Sequence, residues 1–122
     1  MKSLVTALIL LILMLSCVVW NYIYINEVFG EMNRLLDELP DVASPDCNAR
    51  ATAICNYWES HADTVGLSVG YTIVDRVSEQ AALLQACSSC GDGYGFYSAI
   101  VLLRDALGDM RRLEQFSIGN LL

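Results

Sequence analysis

Residues 4 to 25 read LVTALILLILMLSCVVWNYIYI and contain one amide side chain, Asn21, and no charge. As an α-helix rising about 1.5 Å per residue, this stretch is about 33 Å long, enough to cross a hydrocarbon core of about 30 Å. Aromatic side chains near its far end, beginning with Trp20, are typical of the belt at a membrane interface. The sequence therefore predicts a transmembrane helix that runs from Leu4 through Trp20 to Ile25.

The charges that flank this stretch predict its orientation. Lys2 and the amino terminus precede it, whereas Asn26 and Glu27 follow it and the first arginine is Arg34. Basic residues favour the cytoplasmic side of a membrane. We therefore expect a single-pass signal-anchor in the cell membrane, with a cytoplasmic N-terminus and an extracytoplasmic remainder, and the lipid bilayer as the first partner.

Two other interpretations of the N-terminal stretch are a cleaved signal peptide and a lipoprotein signal. The apolar run is longer than the core of a typical signal peptide, and no small-x-small cleavage site follows it. Cys17 comes after Met14-Leu15-Ser16, a poor lipoprotein box, and the chain stays apolar beyond it. A retained anchor, with Cys17 as one of its apolar residues, is the interpretation that the sequence favours.

The chain beyond the anchor is acidic. All 14 aspartates and glutamates lie at or after Glu27, where the only basic residues other than His61 are six arginines. A net negative surface repels nucleic acids and anionic lipid headgroups, so neither is expected as a partner. About 97 residues make one small domain at most.

Apolar residues after the anchor recur at helical spacing, and no strand-like alternation is present. The first stripe extends the anchor helix to Leu39, where Pro40 ends it. Three further helices are predicted over residues 45–65, 71–89 and 94–116, the first of them capped by Ser44. We expect an all-α fold in which a transmembrane helix (1–25) and its extension with a linker (26–45) precede a small antiparallel helical bundle (46–122).

Short motifs along nearly the whole chain resemble one known family, named domain of unknown function 4363. Its members are small bacterial proteins with one N-terminal anchor and a helical outer region, so the resemblance implies that architecture and no known activity. The matching motifs are Met1-Lys2-Ser3-Leu4-Val5, Trp20-Asn21, Leu35-Leu36 with Leu39-Pro40, Trp58 with Glu59 and His61, Ile73 with Asp75, and the tail from Phe116 to Leu122.

The four outer cysteines suggest a disulfide, because an extracytoplasmic compartment is oxidising. Cys47 and Cys55 lie on one helix about 12 Å apart, too far to be bonded. If the second and third helices fold back around residues 68 and 69, Cys47 faces Cys90, with Cys87 one turn away, and Cys55 stays alone. We therefore predict a bond from Cys47 to Cys87 or Cys90, with buried free thiols as the alternative.

Other chemistry has weaker support in the sequence. Cys87-Ser88-Ser89-Cys90 has the spacing of a redox dithiol or of half a zinc site, but it lies at a predicted helix C-terminus, where the dipole disfavours a thiolate. His61 lies about 20 Å along the helix from Cys47, too far to complete a metal site. The glycine-rich residues 91–95 lack the lysine of a phosphate-binding loop and are expected to cap helices.

The pattern as a whole favours a non-enzymatic interaction or structural module of the bacterial cell envelope, without a cofactor, a bound metal or a small-molecule substrate. It would bind another membrane or envelope protein, or a second copy of itself, through helix faces. The apolar residues Ile118, Leu121 and Leu122 are candidates for that contact. The alternative is a thiol- or metal-dependent envelope enzyme that uses Cys87 and Cys90.

Overall fold

The computed structural model describes residues 1–121, and within that range it describes every side chain except those of Ser117, Ile118, Asn120 and Leu121. Four helices account for almost all of these residues, and the described part of the chain contains no strand, so the all-α prediction is confirmed. The helices are α1 (Lys2–Asp37), α2 (Cys47–Val69), α3 (Tyr71–Cys90) and α4 (Gly93–Leu121).

Helix α1 is continuous over 36 residues, so the apolar stretch and the stripe that follows it form one rod. Gly30 does not interrupt it, since the i to i−4 hydrogen bonding of a helix does not require a side chain. The N-terminal half is long and apolar enough to cross a membrane, and none of its most apolar 18-residue window is buried in the structure.

The C-terminal half of α1 belongs to the packed core. Ile25 is 0% exposed, so the residue predicted to end the membrane span lies inside the protein, and the exposed apolar stretch ends before it. The core therefore draws on residues 26–45 as well as on residues 46–122. The largest fully buried side chains come from all four helices: Ile25, Val28 and Met32 of α1, Ile54, Trp58 and Val65 of α2, Val77 and Leu84 of α3, and Phe96, Leu103, Leu107 and Met110 of α4.

Four predicted helix ends are wrong by a few residues. Helix α1 ends at Asp37, two residues before the predicted Leu39, and Glu38 is its C-cap. Helix α2 begins at Cys47, because residues 44–46 form a turn in which the Ser44 carbonyl accepts a hydrogen bond from Cys47 N at 3.2 Å, and no side chain caps the helix. Helix α2 also continues through Gly66 to Val69, where Gly70 takes a φ of 90° that favours glycine. Helix α4 extends to Leu121, since no glycine or proline signal is strong enough to end it at residue 116.

Helices α2 and α3 are antiparallel neighbours joined at Gly70. Polar side chains link them along their length. The sequence predicts which residues face each other if the chain folds back around residues 68 and 69, and each linked pair agrees with that prediction to within one residue. The pairs are Asn48 with Ser88 (3.1 Å) and Ser89 (2.8 Å), Gln85 with Thr52 (3.0 Å), and Trp58 with Ser78 (2.8 Å).

Helix α4 runs antiparallel to the C-terminal half of α1. Arg104 donates hydrogen bonds to Asn33 Oδ1 at 3.0 Å and to Asp37 Oδ1 at 2.7 Å. Seven residues further along α4, the Arg111 guanidinium lies 5.0 Å from the centroid of the Phe29 ring. The C-terminal end of α4 therefore lies near the point where α1 leaves the core and becomes fully exposed.

Candidate functional site

An aromatic and histidine cluster lies where α1 packs on α2. The Tyr24 hydroxyl is hydrogen-bonded to His61 Nδ1 at 2.5 Å, and the Tyr57 ring packs on the other side of His61 with 4.5 Å between centroids. All three side chains are half-buried. The partner of His61 could not be found from the sequence, because Tyr24 is 37 residues away, in the predicted anchor.

The electrostatics of this cluster favour a structural role. Burial is the largest cause that raises the pKa of the Tyr57 phenol, and the carboxylates of Glu31 and Glu27 add to it together with Tyr24. A phenol with a raised pKa stays protonated and is not a nucleophile at neutral pH. The arrangement fixes α1 to α2 through a hydrogen bond and ring contacts.

The five cysteines are all free thiols in the structure. Cys47, Cys55 and Cys87 are buried, whereas Cys90 and Cys17 are exposed. The Cys55 thiol donates a hydrogen bond to the Ala81 carbonyl at 3.0 Å, which satisfies it within the α2–α3 interface. The bond predicted from Cys47 to Cys87 or Cys90 is thus not formed here, and as a property of the oxidised protein it stays a prediction.

The environment of these thiols opposes thiolate chemistry. Burial raises the pKa of Cys47, Cys55 and Cys87, and nearby carboxylates (Asp41, Glu59 and Asp92, respectively) raise it further. A reactive cysteine needs the opposite shift, toward the thiolate. Among residues 1–121, no group of three or more histidine, cysteine, aspartate or glutamate side chains is arranged to hold a metal ion.

The glycine-rich segment between α3 and α4 caps both helices, as the sequence predicts. Gly91 takes a left-handed φ of 73° and its N–H bonds to the Cys87 carbonyl, which ends α3. The Asp92 carboxylate accepts a hydrogen bond from Gly95 N at 3.1 Å, so a side chain of the protein already occupies the start of α4. A phosphate would meet this carboxylate instead of free N–H groups.

A large apolar face outside α1 lies on the N-terminal half of α4. Tyr94, Tyr97, Val101 and Leu102 are all exposed there, and together with Gly93 and Ser98 they line an open groove of about 580 Å³. We call these six residues the α4 face. A contiguous apolar surface rich in tyrosine is typical of protein interfaces. The sequence analysis missed it because it concentrated on the stripe of α4 that is buried in the core.

The predicted partner-binding residues cannot be compared with this face. Leu122 and the side chains of Ile118 and Leu121 lie outside the described residues, so their role stays a prediction. No protein-family model, curated protein or solved structure matches this chain. The resemblance to the domain of unknown function 4363 family therefore stays an expectation, and the geometry alone supports the proposals below.

Proposed function

We propose that this chain is a membrane-anchored interaction module of the bacterial cell envelope. The N-terminal half of α1 lies in the bilayer with its end in the cytoplasm, and the remainder is an antiparallel helical bundle on the extracytoplasmic side. One observation carries the proposal: the same continuous helix is apolar and fully exposed in one half and buried in the core in the other. An exposed run of this length, which includes Leu4, Val5 and every residue from Leu8 to Leu15, is costly in water and favourable in lipid.

The α4 face supplies the binding surface in this proposal, and its partner is another membrane or envelope protein with an apolar helix or patch. Its two exposed tyrosines combine a large apolar ring with a hydroxyl, which suits a contact at the edge of water. No charged side chain lines the groove, so the partner surface should be uncharged as well. The raised thiol pKa values give no support to an enzyme that uses Cys87.

Site-specific photo-crosslinking in intact cells tests the binding surface. A photoreactive phenylalanine analogue replaces Tyr97 in the α4 face, and a matched control replaces Glu79, an exposed residue of α3. We expect a discrete adduct from position 97 that is absent at position 79 and lost when Leu102→Asp places a charge in the groove. The proposed surface is wrong if both positions give the same products or if Leu102→Asp leaves the adduct unchanged.

The topology is tested separately. The full chain should remain in the membrane fraction after alkaline extraction, and a C-terminal tag should be accessible to external protease once the outer barrier of the cell is opened. A tag that is digested only after the membrane itself is lysed would place the bundle in the cytoplasm instead.

A further inference from the structure

The length of the exposed part of α1 decides how close the bundle lies to the membrane. From Ser3 to Trp20 the helix is about 27 Å long, which is slightly less than a hydrocarbon core of about 30 Å. At the next residue α1 is hydrogen-bonded to another helix, because the Ser68 hydroxyl donates a hydrogen bond to Asn21 Oδ1 at 2.7 Å. Because α1 is continuous, no linker separates the bundle from the bilayer.

The turn between α2 and α3 lies at this same end of the bundle. Ser68 belongs to the last turn of α2, just before this junction at Gly70, and its neighbour Leu67 is 83% exposed, the largest exposure of any described leucine side chain. The Tyr71 side chain, also exposed, begins α3 just beyond the turn. Residues 64–74 contain no charged side chain, and the flanking charges, Asp63 and Asp75, lie further along the helices.

Helix α4 brings another exposed aromatic side chain toward this end. Phe116 is 68% exposed and lies five residues beyond Arg111, which contacts Phe29 of α1. Because α4 is antiparallel to α1, about 1.5 Å of rise per residue brings Phe116 close to the level of Tyr24, one turn from Asn21. The chain has no charged side chain after Glu114, so this part of α4 is compatible with a low-polarity environment.

We propose that Leu67, Tyr71 and Phe116 insert into the headgroup and acyl boundary of the bilayer as a second membrane contact. This inference rests on the proposed anchoring of α1. Lipid is the occupant because Leu67 lies beside Ser68, which is hydrogen-bonded to Asn21 at the end of the exposed half of α1, because the three exposed side chains are uncharged, and because mixed aromatic and aliphatic residues favour membrane interfaces. The contact would fix the bundle upright on the membrane and leave the α4 face, at the opposite end, free for a partner.

Quenching by brominated lipids tests this contact on the full chain in phosphatidylcholine vesicles. Trp20→Phe removes the indole of α1 and leaves only the buried Trp58 as background. In that background Leu67→Trp and Phe116→Trp report on the proposed contact, and Tyr94→Trp is the matched control at the far end of α4. Circular dichroism of each variant verifies that the helices are intact.

We expect brominated lipid to remove most of the fluorescence introduced by Leu67→Trp and by Phe116→Trp, and to leave that of Tyr94→Trp unchanged. Equal quenching at positions 67 and 94 would overturn the inference. Protection of the indole at position 67 from brominated lipid only at a high ratio of protein to lipid would also overturn the inference, since that result indicates a contact with a second copy of the chain.

Quenching of the unmodified chain shows whether a negative result rejects only the interfacial contact or also the anchoring of α1. The difference in quenching between it and Trp20→Phe measures the depth of residue 20 itself. Quenching of Trp20 without quenching at position 67 or 116 would leave the anchor in place and reject the interfacial contact. Absence of quenching at position 20 would reject both.

Discussion

The two halves of α1 differ in apolar content and have opposite surroundings. In the N-terminal half the large side chains are exposed all around the helix, whereas in the C-terminal half Ile25, Val28, Met32 and Leu36 are buried and the remaining positions carry most of the polar groups. The difference lies in the distribution of charge: the first half is apolar on every face, and the second is apolar on one face only. The first half of the helix is therefore suited to lipid, and the second half is suited to packing against other helices with its polar face in water.

The largest expected effect compares the same substitution in the two halves. Ile25→Ala removes a side chain that is fully buried in the core, which should lower the free energy of unfolding by about 2–5 kcal/mol. Ile12→Ala, at an exposed position of the same helix, should leave it unchanged. Urea unfolding in mild detergent, followed by circular dichroism at a helical wavelength, measures both.

A similar loss from Ile12→Ala and Ile25→Ala would contradict the division of α1. It would mean that the first half is also packed against protein, for example in an oligomer of anchor helices. Repeating the unfolding at several ratios of protein to detergent identifies that case, because an oligomer becomes less stable on dilution.

A charge in the exposed half of α1 should reduce membrane insertion and leave the stability of the bundle unchanged. Ile12→Arg places a guanidinium near the centre of the proposed span, which should disfavour membrane insertion by about 2.5–3.5 kcal/mol. We expect a substantial part of the protein to leave the membrane fraction, while the unfolding of the helical bundle is unaffected. Ile12→Leu is the control and should fractionate normally. Retention of Ile12→Arg in the membrane would indicate that the anchor tolerates the charge by shifting its register or through a partner helix.

Much of this arrangement could be predicted from residue spacing. Apolar residues at three-and-four intervals identified all four helices, because this signal acts over a few neighbouring residues. Pro40 predicted the end of the first helix to within a few residues, since the helix ends at Asp37. The prediction was less accurate where two signals compete. Gly66 suggested the end of a helix, but the buried Val65 and the following Val69 keep the chain helical until Gly70.

Long-range contacts could not be predicted in the same way. Ile25 ends an uncharged, mainly apolar run, so composition assigns it to the membrane, and only the packing of α4 and α2 against α1 places it in the core. The pairing of Tyr24 with His61 has no local signature at all. The exposure of the α4 face likewise depends on which side of α4 the other helices cover.

A buried acid on α4 gives a pH-dependent prediction of smaller size. Glu114 is 4% exposed, and burial raises its pKa above the ordinary value of 4.5. The folded protein then holds this proton more tightly than the unfolded chain does, so stability should fall as pH rises from about 4.5 through the raised pKa. Glu114→Gln should remove that loss and increase stability at pH 7 by a small amount.

Thermal unfolding from pH 4 to pH 8 measures the effect of Glu114→Gln. The exposed neighbour Gln115 offers a control, because Gln115→Glu adds an acid at the surface and should leave the pH profile almost unchanged. If Glu114→Gln is less stable than the parent at pH 7, the carboxylate is stabilised in its charged form and the expected sign is wrong.

The smallest effect concerns the hydrogen bond that fixes α1 to α2 near the boundary between the two halves of α1. Tyr24→Phe keeps the ring on His61 and removes the hydroxyl that is hydrogen-bonded to Nδ1, which should cost about 0.5–1.5 kcal/mol in urea unfolding. Tyr22→Phe is the matched control, since the Tyr22 hydroxyl has no hydrogen-bond partner among the described residues, and it should cost almost nothing.

Tyr24 lies only four residues beyond Trp20, so its bond to α2 fixes the direction in which the exposed half of α1 leaves the core. If Tyr24→Phe also lowers quenching at position 67 by brominated lipid, this bond orients the bundle on the membrane as well as stabilising it; unchanged quenching would assign it to stability alone.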